Sequence, residues 1–183
     1  EHYWEGEYPD VKLNIIPMLC QHCDNAPCET VCPVSATYHN QDGLNTQIYN
    51  RCIGTRSCAV YCPYEVRYFN YNDHTWDSPL DQQLNPDVSV REKGVMEKCT
   101  FCIQRVRQAK DTAKDDGRRR VRDGEVQPAC VQTCPSQAMA FGDRNDPESN
   151  VSQTLAGPRA YRVLDELNTK SSVVYLKKVE TEA

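Results

Sequence analysis

Eleven cysteines, gathered in short clusters, constrain this chain of 183 residues more than any other feature. The first group is Cys20-x2-Cys23-x4-Cys28-x3-Cys32-Pro33. The second is Cys52-x5-Cys58-x3-Cys62-Pro63. The third opens with Cys99-x2-Cys102 and, after a long insert, closes with Cys130-x3-Cys134-Pro135. An odd number of cysteines at such close spacing does not suit a disulfide framework. Cys23 is followed by Asp24 and Cys102 by Ile103, so neither begins a Cys-x-x-Cys-His haem attachment. Metal chelation by thiolates remains.

The spacing then separates zinc from iron–sulfur. In all three groups the last Cys of a Cys-x3-Cys pair precedes Pro. Bacterial ferredoxins carry that punctuation: three thiolates of the run wrap one cubane, and the fourth crosses to its neighbour. The tight loop aims backbone N–H groups at cluster sulfur, and the Pro ends it where no donor is needed. We read iron–sulfur clusters, with a structural zinc module as the alternative.

Composition supports that reading. Leu, Ile, Val and Phe together make up less than a fifth of the chain. So small an aliphatic share goes with disorder when net charge is high, yet the formal charge is only −5. Something other than an aliphatic core holds the chain together, and the cysteines are the candidates. Mean hydropathy is −0.72, and no apolar run approaches the ~18 residues of a membrane span. No secretory signal pattern opens the chain. It begins at Glu1 rather than Met, which reads as a processed or partial sequence.

The cysteine groups repeat. Cys20 to Cys52 is an offset of 32 residues, and Cys32 to Cys62 one of 30. Each unit reads as a Cys loop, a short helix ending at Cys-Pro, and a strand. Ala36–His39 and Leu44–Tyr49 form a predicted hairpin around Asp42-Gly43. Val66–Tyr71 and Ala138–Asp143 are the corresponding predicted strands. Cys102–Ala113 places Ile103, Val106 and Ala109 at helical spacing. Residues 72–94, polar with Pro79 and Pro86, read as a surface loop. The mixed charges at 110–125 read as a solvated loop rather than a nucleic-acid site. Residues 144–159 read as a connector. Pro158 opens a predicted helix bearing Tyr161, Leu164 and Leu167, running to about Asn168, and Val173–Leu176 reads as a strand. The fold class is therefore α+β: tandem ferredoxin-like cluster-binding units with long loops and a C-terminal helix–strand tail. The divisions are 1–71, 72–98, 99–143 and 144–183, the last packing on a partner or back on the core.

With these motifs in place, the chain resembles the four-cluster, ferredoxin-like electron-transfer subunits of the complex iron–sulfur molybdoenzyme group. The resemblance rests on MLCQHCDNAPCETVCPVSAT, YNRCIGTRSCAVYCPYEVRYFNY, GVMEKCTFCIQRV, PACVQTCPSQAMAFGD and RAYRVLDELNTKSSVVYLKKV, and covers nearly the whole chain. The Cys-Ile-Gly-Thr variant with NPDVSVREKGVMEKC is similar to the iron–sulfur subunit or domain of alternative complex III and of related quinone-reductase and polysulfide-reductase-type membrane complexes. The resemblance implies that Cys20, Cys23, Cys28 and Cys62 hold one [4Fe–4S] cluster, and Cys32, Cys52 and Cys58 its neighbour. Thr55 stands where a middle Cys is expected. A Thr hydroxyl is a hard, poor ligand for iron among thiolates, so a [3Fe–4S] cluster is expected there. The alternative is a corner iron kept by water or hydroxide. A missing corner iron raises the potential, which suits exchange with quinol-level partners.

The family's first Cys motif, which would lie upstream, is not in this sequence. Cys99, Cys102 and Cys130 therefore take either an upstream fourth ligand or Cys134, and Cys134 serves either a further cluster or the same one. The resemblance further implies a non-catalytic electron-transfer subunit of a membrane-bound respiratory complex. Its partners are a quinone-reactive membrane subunit and a cytochrome or molybdopterin-type subunit. It sits peripherally on the periplasmic, or exoplasmic, side of a prokaryotic inner membrane, without nucleic acid and without a transmembrane segment of its own. A free soluble ferredoxin carrier is the competing reading; the 72–94 insert and the C-terminal tail argue against it. No Ser/His/Asp set, carboxylate pair or Gly-rich phosphate loop points to another chemistry.

Single residues complete the expectations. His22 reads as a partly exposed loop residue, with cluster tuning or proton gating as the alternative. Arg105 is either a counter-charge for a cluster or a surface residue. Tyr61, Tyr64, Tyr68 and Tyr71 read as core packing around the clusters. His2, His39 and His74 have no ligand spacing and no assigned role.

Overall fold

Local turn chemistry at the cysteines shapes the chain. The computed structural model describes residues 2–179. In each cysteine group the second residue after the first Cys has a left-handed backbone: His22 (φ 44°), Gly54 (φ 73°) and Phe101 (φ 53°). That reversal folds each Cys loop back on itself, at a cost of about 1–2 kcal/mol where the residue is not Gly.

A single helical turn then leads to each Cys-Pro: α1 (Pro27–Thr30), α2 (Ser57–Val60) and α4 (Ala129–Gln132). Each turn ends the same way. The N–H groups of Cys32, Cys62 and Cys134 donate to Glu29, Ala59 and Val131. The carbonyls of the same cysteines then accept from Ser35, Glu65 and Gln137, at 3.3, 3.2 and 3.2 Å. Those three residues again have positive φ, 48°, 53° and 50°. The predicted short helix at each Cys-Pro is present, and α1 packs on α2.

Among the described residues the strands form four two-stranded antiparallel ribbons. The predicted hairpin is there: β3 (Thr37–His39) pairs with β4 (Asn45–Gln47). The Asn40 side-chain carbonyl accepts from the N–H groups of Asp42 and Leu44 at 3.0 and 2.9 Å and shapes the turn. The strand predicted after Cys62 is β5 (Tyr68–Phe69), and its partner is β6 (Met96–Glu97). Residues 72–94 are thus a loop pinned at both ends, with one 3₁₀ turn at Leu80–Gln83. A further hairpin, β1 (His2–Glu5) with β2 (Lys12–Ile15), was not anticipated. Its register puts Trp4 and Leu13 opposite each other, both exposed. The longest helix, α3 (Ile103–Asp115), lies where the spacing placed it.

Two expectations fail. No strand forms over 138–143; Phe141 packs edge-on against Phe101, with ring centroids 5.5 Å apart. The tail helix from Pro158 is also absent. β7 (Ala160–Tyr161) instead pairs with β8 (Tyr175–Leu176), and Leu164 and Asn168 adopt left-handed φ that no helix tolerates. The helix lies earlier, in the expected connector: α5 (Asn150–Leu155), capped by the Ser149 hydroxyl, which accepts from Ser152 N–H at 3.1 Å.

Five of the nine buried residues in the main core are cysteines: Cys20, Cys23, Cys28, Cys58 and Cys62. Ala26, Tyr64, Val66 and Met96 complete it. The tail closes over the first Cys loop. Asp24 and Asn25 N–H donate to the Lys170 and Thr169 carbonyls, and Ser172 N–H donates to the Gln21 carbonyl. The Ser172 hydroxyl donates to the His22 carbonyl at 2.8 Å. These bonds tie residues 169–172 to the first Cys loop. Among the described residues no helix is long and apolar enough to cross a membrane.

Candidate metal centres

All eleven cysteines are free thiols, and the fold collects them into groups. Cys20, Cys23, Cys28 and Cys62 are all less than a tenth exposed and adjoin in the core. Burial pushes the Cys23 thiol up to about 11, a hydrogen bond from Thr169 opposes it, and the charges of Cys20, Cys28 and Cys62 add to it. The chain brings together Cys20, Cys23 and Cys28 of the first Cys loop and Cys62 of the second.

Cys58 is raised in the same way, by burial first, with Arg67 opposing and Cys32 and Cys52 adding. Cys32, Cys52 and Cys58 line one small recess together with Thr55 and Gly54. Two backbone N–H groups point at sulfur there: Ala36 at 3.2 Å from Cys32 Sγ, and Met96 at 3.4 Å from Cys52 Sγ.

Cys99 is raised by burial and feels Cys130. Ala129 N–H lies 3.4 Å from Cys102 Sγ. Cys130 is exposed, so this group is more open than the other two. Cys134 faces its own turn: Ser136 Oγ is 3.4 Å away, and hydrogen bonds from Ser136 and from the Ala138 backbone hold the thiol below its usual value.

Thiols raised by burial gain nothing as free acids in a polar role. As thiolates they are soft donors that need a cation, since a buried anion without one is costly. Binding a metal removes the protons. Among the described residues, no three His, Cys, Asp or Glu side chains converge closely enough to hold one ion. Thiols arranged around a space, with N–H groups aimed at sulfur, fit a multi-iron cage.

Two buried cations beside the thiols were not expected from the residue pattern. Arg67 is 5% exposed. One guanidinium nitrogen, Nη2, donates to Cys28 Sγ at 3.0 Å, Thr37 Oγ1 at 2.8 Å and Asn45 Oδ1 at 2.8 Å; Nη1 donates to Gln47 Oε1 at 3.1 Å. Burial opposes its charge, and Cys28, Cys58 and Cys20 outweigh burial, holding it above its usual value. Lys98 is 7% exposed, and its ammonium donates to the carbonyls of Asn45 and Cys99. Burial pulls its pKa down, opposed by the Cys20 charge. The only available signal was a cation placed next to apolar Val66 or to Cys99.

Several single-residue expectations change. His22 is buried, not partly exposed. Its ring stacks on Phe101 at 3.9 Å, and Nε2 lies 3.2 Å from the Cys99 carbonyl. Burial, with Lys98 adding, pulls its pKa down to about 2. Of the four tyrosines expected in the core only Tyr64 is buried; Tyr61, Tyr68 and Tyr71 lie on the surface. The short helical turns and ribbons have an outer face that these rings occupy. Arg105 is half-buried. It donates to the Gln127 carbonyl at 2.6 Å and Gln132 Oε1 at 2.7 Å, tying α3 to the segment bearing Cys130.

Comparison with known proteins agrees with this chemistry. A family model described as a 4Fe-4S dicluster domain matches residues 11–78. The iron–sulfur cluster-binding subunit of menaquinone reductase from Nitratidesulfovibrio vulgaris is 44% identical, over 94% of this chain and 69% of the relative. The iron–sulfur subunit of arsenate respiratory reductase from a Shewanella species is 33% identical, over 94% and 79%. Iron–sulfur subunit 1 of an Hdr-like menaquinol oxidoreductase from Archaeoglobus fulgidus is 37% identical, over 88% and 56%. The chain thus spans between 56 and 79% of the length of these three relatives. It belongs to the 4Fe–4S dicluster family of iron–sulfur subunits, which carry electrons in membrane-associated reductase complexes and are not their catalytic subunits.

Proposed function

We propose that this chain relays single electrons through two tandem cluster-binding units, within 1–71 and 99–143. It works inside a respiratory complex whose other subunits react with quinone and with a cytochrome or molybdopterin-type centre. The loop at 72–98 separates the units, and 144–183 covers them. The clusters, when bound, supply the one-electron couples; the chain supplies ligands, hydrogen bonds to sulfur and exclusion of water. Cys20, Cys23, Cys28 and Cys62 hold a [4Fe–4S] cluster. Cys32, Cys52 and Cys58 hold a [3Fe–4S] cluster, with Thr55 at the corner. Cys99, Cys102 and Cys130 hold another [4Fe–4S] cluster. The self-contained turn around Cys134 supports the reading in which its thiolate serves a different cluster. The seat is peripheral, on the exoplasmic face of the membrane.

One observation carries the proposal: the recess that unites Cys32, Cys52 and Cys58 contains Thr55 where the spacing calls for a fourth thiolate. An uncharged hydroxyl is a hard, poor replacement for it as a ligand for iron. A three-iron cluster carries a higher potential suited to exchange with a quinol-level partner.

EPR of the air-oxidised protein in its complex tests this. A [3Fe–4S] signal is expected, and Thr55→Cys is expected to abolish it while adding one iron per chain. Absence of the signal in the wild type, or its survival in Thr55→Cys, overturns the assignment.

A further inference from the structure

The two thiol groups of the first unit meet at one side chain. Arg67 donates to Cys28 Sγ at 3.0 Å, in the group with Cys20, Cys23 and Cys62. Cys58, in the group with Cys32 and Cys52, shares one buried side-chain cluster with Cys28, and the Arg67 charge opposes the rise that burial gives its thiol. Among the described residues no carboxylate is a hydrogen-bond partner of it; Thr37, Asn45 and Gln47 supply neutral oxygen acceptors from β3 and β4. Those neutral contacts fix the plane of the guanidinium and leave its charge for the sulfurs.

We propose that Arg67 is a shared positive charge between the two clusters of this unit, one that raises the reduction potential of both and binds them into one electrostatic pair. The inference deepens the electron-relay reading and rests on it.

The physical argument is differential. Reduction adds an electron and makes each cluster more negative, so a fixed cation stabilises the reduced form more than the oxidised form. The site is nearly closed to water, so the interaction is weakly screened. The guanidinium remains protonated across the accessible pH range, so the electron entering either cluster brings no proton to this residue. Hydrogen bonding to cluster sulfur acts in the same direction, since bonds to sulfur are among the levers that set cluster potentials. The fork geometry of Arg is what serves two thiolates at once. A Lys ammonium is a single point charge on a flexible stem and reaches one side better than the other.

Arg67 therefore acts as a positioning and tuning residue, and its test reads potentials rather than turnover. The experiment is an EPR-monitored redox titration of the complete protein in its complex, comparing wild type, Arg67→Gln and Arg67→Lys. Iron per chain is measured on each. In Arg67→Gln, both midpoints of the first unit are expected to move negative by tenfold or more in the reduction equilibrium, which is 59 mV for a one-electron couple. The cluster group of Cys99, Cys102 and Cys130 is expected to keep its midpoint. Unmoved midpoints, or a shift confined to one cluster, overturn the inference.

Arg67→Lys keeps the charge and covers the case in which the Gln variant does not assemble. It is expected to load iron and to shift the two midpoints unequally. Midpoints that fall as far in Arg67→Lys as in Arg67→Gln, although the charge is kept, overturn the inference as firmly. Failure of the underlying reading looks different: the wild type itself then shows no iron–sulfur signal. Wild-type signals with unmoved midpoints remove only the role of Arg67.

Discussion

Thr169→Val is a sharp test of how the tail closes the first Cys loop. Thr169 is 6% exposed, and its hydroxyl lies 2.7 Å from the Tyr64 hydroxyl. It also hydrogen-bonds the Cys23 thiol. The substitution keeps the branched shape and deletes one oxygen. Tyr64, 3% exposed, then loses its shortest partner and keeps the Val163 carbonyl at 3.3 Å. A neutral hydrogen bond contributes about 0.5–1.5 kcal/mol net and one to a charged group about 1.5–3 kcal/mol, so the closure weakens by about 2–4 kcal/mol. Each 1.4 kcal/mol is a tenfold change, so local opening becomes about 30-fold to several-hundred-fold more frequent.

The reporters are the amides of Asp24, Asn25 and Ser172, which donate across the closure. Hydrogen exchange of the cluster-loaded protein, read on peptides spanning 20–28 and 164–176, gives the change directly. A double-mutant cycle with Tyr64→Phe is expected to show coupling of about 1 kcal/mol. Exchange within twofold of wild type at those amides, or no coupling in the cycle, refutes the reasoning.

Gly54→Ala places a methyl group 2.7 Å from the Gly94 carbonyl oxygen and 3.0 Å from the Phe69 ring, at φ +73°. It is expected to cost about 1–3 kcal/mol and to lower iron per chain; wild-type thermal stability with full iron contradicts this. Arg105→Gln removes two bonds between α3 and the Cys130 segment at a half-buried site. Stability is expected to fall by less than about 1 kcal/mol with every cluster midpoint unchanged, and a moved midpoint would restore Arg105 as a counter-charge.

The parts of this protein legible in the sequence are those where one residue type has one use. Cys-x3-Cys-Pro fixes a turn, and Asp42-Gly43 marks a hairpin, because both demand particular backbone angles over a few residues. Tyr161, Leu164 and Leu167 mislead because spacing by three is only a helical signal if nothing outside the segment competes, and here Tyr175 and Leu176 offer a strand partner. The Ser149 cap was readable but lies inside a polar stretch that resembles a linker. Arg67 and Lys98 were hidden for a different reason. A cation in sequence reads as solvent-facing, and its burial here depends on thiols and amides contributed from far along the chain. Tyr64 separates from Tyr61, Tyr68 and Tyr71 through contacts with Val163 and Thr169, about a hundred residues away.

The lid over the first Cys loop has a consequence for synthesis. Ser172 reaches the carbonyl of His22 across 150 positions of chain. At about 5–20 residues per second, the ribosome makes that cover roughly 7–30 s after the thiols it shelters. Throughout that interval Cys20, Cys23 and Cys28 stand open to whatever delivers iron and sulfide. Late translation of its own seal gives the nascent chain a window for loading, and the segment around Ser172 closes it.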